Sequence, residues 1–500
     1  MFPRPVASLT PNTADFERLP LVKETGFREY DARWLFPEEI NLMGVQALGL
    51  GLGTLFKEMG VTPPAIVVGH DYRSYSLSIK QALLSGLLGT GCEVHDIGLA
   101  LSPMAYFAQF ALDVAGVAMV TASHNDNGWT GVKMGCARPL TFGPDEMIAL
   151  KEITLSGRFA ADGGGSYRFV EDFAEVYLGA IADRPQLKRP IRAVAACGNG
   201  TAGAFAPEAL KRIGADVVPL DTALDYTFPR YNPNPEDLAM LAAVAEKVRE
   251  SGADVGLAFD GDGDRCGVID NEGSAIFADK VGVMLARDIS ARHEKAKFVV
   301  DVKSTGLFLT DPVLIANGAT TEYWKTGHSY IKRRSFETGA LAGFEKSGHF
   351  FFNPPLGRGY DDGLVAAFAV LDMMDHNPDK TLAEMERALP KTWQSPTMSP
   401  HCADEEKYAV VDKVVAHFQD LTKRRAKVAG QDIRELVTVN GVRVVLADGT
   451  WGLVRASSNK PELVVVVESP TSEQNMRAIF EAIDAHLSTY PQVGEYNQKI

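Results

Sequence analysis

The segment FDGDGDR (Phe259–Arg265) alternates carboxylates with glycines directly after an apolar run. Asp260, Asp262 and Asp264, held this close together, repel one another strongly unless a cation sits among them. An all-oxygen ligand set favours a hard divalent ion, Mg2+ before Zn2+. The intervening glycines let the backbone curl so that alternate side chains converge. An EF-hand is excluded by spacing, because the sixth and twelfth places of this loop hold Arg265 and Asn271 where Gly and Glu are required.

Three carboxylates leave an octahedral ion short of ligands, and a phosphate oxygen is the usual completion for Mg2+. A second segment, VAMVTASHN (Val117–Asn125), offers a carrier for such a phosphate. Its apolar run ends at Ser123 and His124, and a phosphorylated Ser123 would make the loop a phosphoryl donor. The competing reading is a Ser–His pair for acyl transfer. Neighbouring side chains at an extended strand end point apart, so Ser123 and His124 are expected not to face each other. No Gly-x-Ser-x-Gly elbow is present either. The strand end is expected to expose Ser123.

Two more loops carry suitable groups. FEKSGH (Phe344–His349) places Glu345, Ser347 and His349 within five residues, a mixture suited to sugar hydroxyls and proton transfer. RASSNKP (Arg455–Pro461) gathers Arg455, Ser457, Ser458, Asn459 and Lys460, the donors that an anchored phosphate needs. FREYDAR (Phe27–Arg33) adds Arg28 and Arg33, and Lys133, Lys303 and Lys325 lie close to the other loops in sequence.

The elements that must position these loops are short apolar runs alternating with helix-period segments, the α/β pattern. Strands are expected at 64–69, 92–98, 115–121, 191–196, 216–220, 254–259, 297–302 and 339–344. Helices are expected near 76–88, 202–213, 236–250 and 307–317. Three rounds of this layout each end in one of the chemistry-bearing loops, which predicts three similar mixed α/β domains. The GGG run near 163–165 reads as a flexible connection, and the Pro/Ser/Thr-rich 390–401 reads as a linker to a last, strand-rich α+β module. The expected division is 1–170 (serine loop), 171–276 (metal loop), 277–390 (sugar loop) and 391–500 (phosphate loop). GLGLGT (Gly49–Thr54) lies in a helix-period segment, not after a strand, so it is not read as a dinucleotide loop.

At 500 residues and a net charge of −14, the chain lacks the basic surface of a nucleic-acid or anionic-membrane binder. Five widely spaced cysteines without a CxxC pair read as free thiols. With no signal-like N-terminus and no membrane-length apolar stretch, a cytoplasmic protein is expected.

FREYDAR, TASHN, CGNGTAG, FDGDGDR, DVKST, WKTGHS, FEKSGH and RASSNKP occur in this order along the chain. In that combination the chain resembles the α-D-phosphohexomutases, most closely the bacterial phosphomannomutase/phosphoglucomutase branch. The resemblance implies three α/β domains around a central cleft and a smaller C-terminal α+β domain. It implies Ser123 as the phosphoserine, with Asp260, Asp262 and Asp264 holding Mg2+ beside it. Arg33, His124, Lys133, Arg265 and His349 are then the catalytic candidates. Tyr30, Lys303, Gly327, His328, Glu345 and Ser347 would bind the sugar, and Arg455, Ser457, Ser458 and Asn459 the unreacting phosphate. The implied substrates are mannose and glucose phosphates, with a hexose 1,6-bisphosphate as intermediate and activator. A glucosamine-phosphate mutase of the same family is the alternative, and a metal-dependent sugar-phosphate phosphatase a more distant one. Phe344 stands where relatives usually have glycine.

Overall fold

The computed structural model describes residues 2–62 and 64–500, which divide into two compact units. The first unit comprises Met1–Ala278 and Ser347–Ala383, the second Asp279–Lys346 and Glu384–Ile500.

The first unit contains two sheets built on one plan. In the first, strand Ala65–His70 lies parallel to Glu93–Leu99 on one side and Gly116–Val120 on the other. Gly116–Val120 then runs through the serine loop into the antiparallel strand Trp129–Gly135. In the second, Arg192–Ala196 lies parallel to Asp216–Leu220 and Val255–Phe259, and Val255–Phe259 runs through the aspartate loop into antiparallel Cys266–Ile269. The second unit repeats the parallel core, with Lys297–Asp301 between Thr320–Trp324 and Ala342–Phe344, and the Glu345–His349 turn follows. All five residues of Gly116–Val120 and of Val255–Phe259 are buried, so their apolar runs are fully sandwiched strands. The loop after the third strand of each round is therefore where chain polarity changes abruptly.

The GLGLGT segment lies inside helix Leu42–Glu58, as its periodicity implies. Its glycines serve packing: a Cβ on Gly49 would stand 2.3 Å from the Leu83 carbonyl oxygen of the neighbouring helix. Two expected helices are broken. Residues 202–213 form a 3-10 turn, Thr201–Ala204, and a helix, Ala206–Arg212, with Pro207 at the new start. Residues 307–317 split at Asp311, which caps Pro312–Ala316 by accepting from the Val313 and Leu314 N–H groups. Proline in the first turn is compatible with starting a helix and not with continuing one.

The fourth sheet is antiparallel, in the order Trp393–Gln394, Leu463–Ser469, Trp451–Ala456, Val442–Leu446, Ile433–Val437. Helices Lys407–Lys423 and Glu473–Leu487 supply apolar residues to its core, among them Val414, Phe418, Ile479 and Ile483. The expected linker 390–401 is instead the edge of this sheet: Trp393 pairs with Ser469 and Met398 with Val465. Prolines at an edge lose no ladder bond, which is why a Pro-rich run can still be a strand margin. Among the described residues no helix is long and apolar enough to cross a membrane.

Candidate active site

Within the first unit the serine loop and the aspartate loop meet. Ser123 Oγ donates to Asp260 Oδ2 at 3.2 Å, across 137 residues of sequence. The approach requires glycine, since a Cβ on Gly261 would lie 2.5 Å from the Ser123 carbonyl oxygen. Ser123 is 1 % exposed, so the hydroxyl is held inside the protein and not displayed at its surface as expected. The expected divergence of Ser123 and His124 is also wrong, because Ser123 Oγ and His124 Nδ1 are 3.2 Å apart. Ser123 adopts a left-handed φ of 52°, which turns the chain and brings adjacent side chains to one side.

Asp260, Asp262 and Asp264 are fully buried, and their ligand oxygens lie within 4.8 Å of one another. The Asp264 and Arg265 N–H groups donate to Asp260 Oδ1. Ser102 Oγ donates to Asp262 Oδ2 at 2.6 Å from the start of helix Ser102–Ala111. Lys133 Nζ donates to Asp262 Oδ2 at 2.7 Å and to Asp264 Oδ2. Asp262 Oδ1 and Asp264 Oδ1 are buried with no hydrogen-bond partner. Two orphaned carboxylate oxygens beside a third carboxylate fit a hard cation of the Mg2+ type.

Charges here are set by burial and by neighbours. Burial, then Asp264 and Asp262, push Asp260 well above the usual carboxylate range. Burial opposes ionisation of Asp262 too, but Lys133 and the Ser102 hydrogen bond hold it below that range. Burial disfavours the Lys133 cation, yet Asp262 and Asp264 outweigh it and raise its pKa. Arg33 donates to Asp31 and, through Nη1, to the Ala122 carbonyl at 2.8 Å, and Tyr30 is buried nearby. Arg265 Nε donates to His349 Nε2 at 2.9 Å, while His349 Nδ1 stands 3.0 Å from Asp361 Oδ2. Ser347, on the same turn, is buried in the first unit.

The second unit organises the remaining candidates around Asp301. Asp301 accepts from the Ser304 and Thr326 hydroxyls and from the Lys346 N–H, and Lys303 Nζ is 3.8 Å away. Glu345 Oε1 accepts from the Gly327 N–H at 3.1 Å, where Gly327 has a φ of 132° and precedes helix His328–Thr338. His328 is buried. Arg455 donates through Nε to Asn440 Oδ1 at 2.8 Å and through Nη2 to Ser458 Oγ. The same Asn440 oxygen accepts from the Thr326 N–H, so the segments that carry Gly327 and Arg455 share one acceptor. Lys460 donates its N–H to Ser457 Oγ, and Asn459 Oδ1 is buried without a partner. Lys325 lies over the Tyr330 ring. Phe344 turns its bulk into the core, 5.7 Å from Phe308 and 5.9 Å from Phe298.

Ser102, Asp301 and Asn440 join the site without having stood out as candidates in the sequence. Asp301 lies in DVKST; Ser102 and Asn440 have no local signal, since Ser102 meets Asp262 160 residues on, and Asn440 links Arg455 to Thr326, which is 114 residues away.

Comparison with known proteins accounts for all four sheets. Models of phosphoglucomutase/phosphomannomutase match in order: α/β/α domain I at 24–161, domain II at 168–273, domain III at 277–393 and the C-terminal domain at 401–486. A phosphomannomutase/phosphoglucomutase of Pseudomonas syringae is 32 % identical over 465 residues, covering 93 % of this chain and 96 % of its own. A Neisseria meningitidis phosphoglucomutase is 31 % identical, with 89 % of this chain and 93 % of the relative covered. The crystal structure of a phosphoglucomutase/phosphomannomutase family protein from Burkholderia thailandensis superimposes with a TM-score of 0.83 at 29 % identity, over 94 % of this chain and 98 % of the other. With four domain models in sequence and relatives aligned nearly end to end, the chain belongs to the phosphoglucomutase/phosphomannomutase family and is a phosphohexomutase.

Proposed function

We propose that this enzyme moves a phosphoryl group reversibly between the 1- and 6-positions of mannose or glucose phosphates, through phosphorylated Ser123 and a hexose 1,6-bisphosphate. The observation that carries the reading is Ser123 Oγ bonded to Asp260 within a cluster whose other carboxylates keep two orphaned oxygens. Asp260, Asp262 and Asp264, with the phosphoserine, are the ligands for Mg2+. When bound, Mg2+ supplies positive charge to the oxygens of the transferring group.

In the forward step the Ser123 Oγ–P bond breaks as a P–O bond forms to the free sugar hydroxyl; that hydroxyl gives up its proton, and the departing Ser123 Oγ takes one up to return to the free serine. His349, His124, Lys133, Arg33 and Arg265 are the candidates to accept the proton or stabilise the charge. Lys133 is held cationic by Asp262 and Asp264 and so acts through its charge and not as a base. The bisphosphate then turns end for end and returns its other phosphoryl group to Ser123. Glu345 and Ser347 bind sugar hydroxyls, Gly327, His328, Tyr30 and Lys303 complete the sugar contacts, and Arg455, Ser457, Ser458 and Asn459 hold the unreacting phosphate. Positioning and electrostatics dominate such transfers. The partners are small hexose phosphates, the location is the cytoplasm, and the working domain division remains 1–170, 171–276, 277–390 and 391–500.

The test is a coupled assay of purified protein with Mg2+ and trace glucose 1,6-bisphosphate. Mannose, glucose and glucosamine 1-phosphates are compared and inorganic phosphate is followed in parallel. The expected result is 6-phosphate formation from mannose or glucose 1-phosphate without phosphate release. Phosphate release without isomerisation would identify a hydrolase, and a dominant rate on the amino sugar would reassign the substrate.

A further inference from the structure

Arg73 belongs to no motif discussed above, yet it holds the serine loop more extensively than any candidate does. It follows strand Ala65–His70 in the segment DYRS, and its side chain is 2 % exposed. Nη2 donates to the Ser123 carbonyl at 3.0 Å and to the Asn125 carbonyl at 2.6 Å. Nη1 donates to the Asp126 carbonyl at 3.2 Å and to Asn127 Oδ1 at 3.3 Å. Arg33 takes the Ala122 carbonyl, and Asn232 Nδ2 takes the His124 carbonyl. Side chains thus hold the consecutive carbonyls of residues 122–126, three of them through one guanidinium.

The local backbone needs such restraint. A left-handed conformation at a residue bearing a Cβ is strained, and it persists only where the surroundings over-determine it. Asp71 completes the arrangement, with Oδ2 accepting from Arg73 Nε at 3.3 Å and from the Ala122 N–H at 3.2 Å. Thr121 Oγ1 accepts the Ser123 N–H at 2.8 Å. The backbone is thereby gripped on both sides of the nucleophile. A guanidinium presents its donors in a rigid planar fork, whereas an ammonium is a point charge that cannot reproduce it.

We propose that Arg73 is a positioning residue for phosphoryl transfer: by clamping the Ser123, Asn125 and Asp126 carbonyls it fixes the left-handed turn that aims Ser123 Oγ at the aspartate cluster. This rests on the phosphoserine reading given above. Arg73 touches neither the sugar nor the transferring group in this scheme, so its loss lowers kcat and leaves sugar-phosphate binding in place.

The experiment compares wild type, Arg73→Lys and Asn232→Ala. Steady-state kinetics with glucose 1-phosphate and the thermal midpoint are measured on each. So is the rate at which glucose 1,6-bisphosphate phosphorylates dephosphorylated enzyme at Ser123, read by intact mass and peptide mapping. Arg73→Lys keeps the charge opposite Asp71, so the expected protein is folded. Its kcat and its rate of Ser123 phosphorylation should fall by about 10²-fold, the scale of an ångström-sized misplacement, with KM changed by less than about threefold. Asn232→Ala, which frees one carbonyl, should move kcat in the same direction by less. The clamp is overturned if folded Arg73→Lys phosphorylates Ser123 at the wild-type rate, or if its whole loss is in KM. If Arg73→Lys does not fold, an Asn232→Ala enzyme with wild-type kcat and phosphorylation rate overturns it alone. Wild-type enzyme that takes up no phosphoryl group at Ser123 removes the phosphoserine reading itself, an outcome distinct from failure of the clamp.

Discussion

Lys133 shows how one side chain can take part of a cation's place among carboxylates. Its ammonium binds Oδ2 of Asp262 and of Asp264 and leaves the Oδ1 atoms of both without hydrogen-bond partners. Two carboxylates and one lysine, all buried, leave net negative charge that a divalent ion would neutralise. Removing one partner of a buried ion pair strands the other, at a cost of about 3–5 kcal/mol. Lys133→Met is therefore expected to lower stability by that order in metal-free buffer. Added Mg2+ should raise its thermal midpoint more than that of wild type, because a ligand binding only the folded state stabilises by mass action. Equal Mg2+ responses in the two proteins would argue against the cluster as the metal site.

At the scale of elements, helix Gly363–His376 starts on a carboxylate that titrates unusually. Asp362 caps it by accepting from the Leu364 and Val365 N–H groups, and the Tyr177 hydroxyl donates to it at 2.8 Å. Burial nonetheless raises its pKa from 3.8 to about 7, the hydrogen bonds only partly opposing. The folded pKa lies above the unfolded one, so between pH 4 and pH 7 the unfolded chain releases this proton while the folded protein keeps it. Stability contributed here is therefore lost as pH rises through that window and is lowest above pH 7. Asparagine caps as well as aspartate and does not ionise. Asp362→Asn should hold more of its pH 5 stability at pH 8 than wild type does, measured by urea unfolding at both values. An unchanged difference would show that Asp362 stays ionised in the folded state.

The cores of these elements were legible in sequence because a fully buried parallel strand reads as a continuous apolar run. Val117–Val120 and Val255–Phe259 did so, and their loops followed as polar interruptions. The breaks at Pro207 and Pro312 and the edge strand at Trp393 were misread for one reason. Proline marks an interruption of a ladder or helix without saying whether the chain leaves the element or resumes it.

At the scale of the whole molecule, the second unit joins two sheets through one arginine. Arg443, 2 % exposed, donates through Nη1 to the Val302 and Ser304 carbonyls. Its guanidinium lies 4.1 Å from the Tyr323 ring centroid and 3.6 Å from that of Trp451. Glu468 adds bonds to the Gly306 N–H and to Trp451 Nε1. Arg443→Met keeps bulk and removes the fork, and loss of these charge-assisted bonds should cost about 3 kcal/mol. Hydrogen exchange should then separate residues 391–500 from 279–346, with the C-terminal segment opening first. Uniform loss of protection across both would mean that other contacts join them.

The types of chemistry were determined by sequence alone: three aspartates spaced for convergence, a serine ending a buried strand, and a loop of phosphate-type donors. Each depends on residues within about ten positions, where chain geometry leaves little freedom. Tertiary structure decided how those groups were used. It turned Ser123 toward His124 and Asp260, brought Lys133 to carboxylates 129 and 131 residues away, and set Arg73 behind the serine loop. Such contacts follow from strand register and from the meeting of two sheets, and no local spacing encodes them. A buried charge finds its partner only once both have left water, which is why the fold, and not the motif, assigns Lys133 and Arg73 their places.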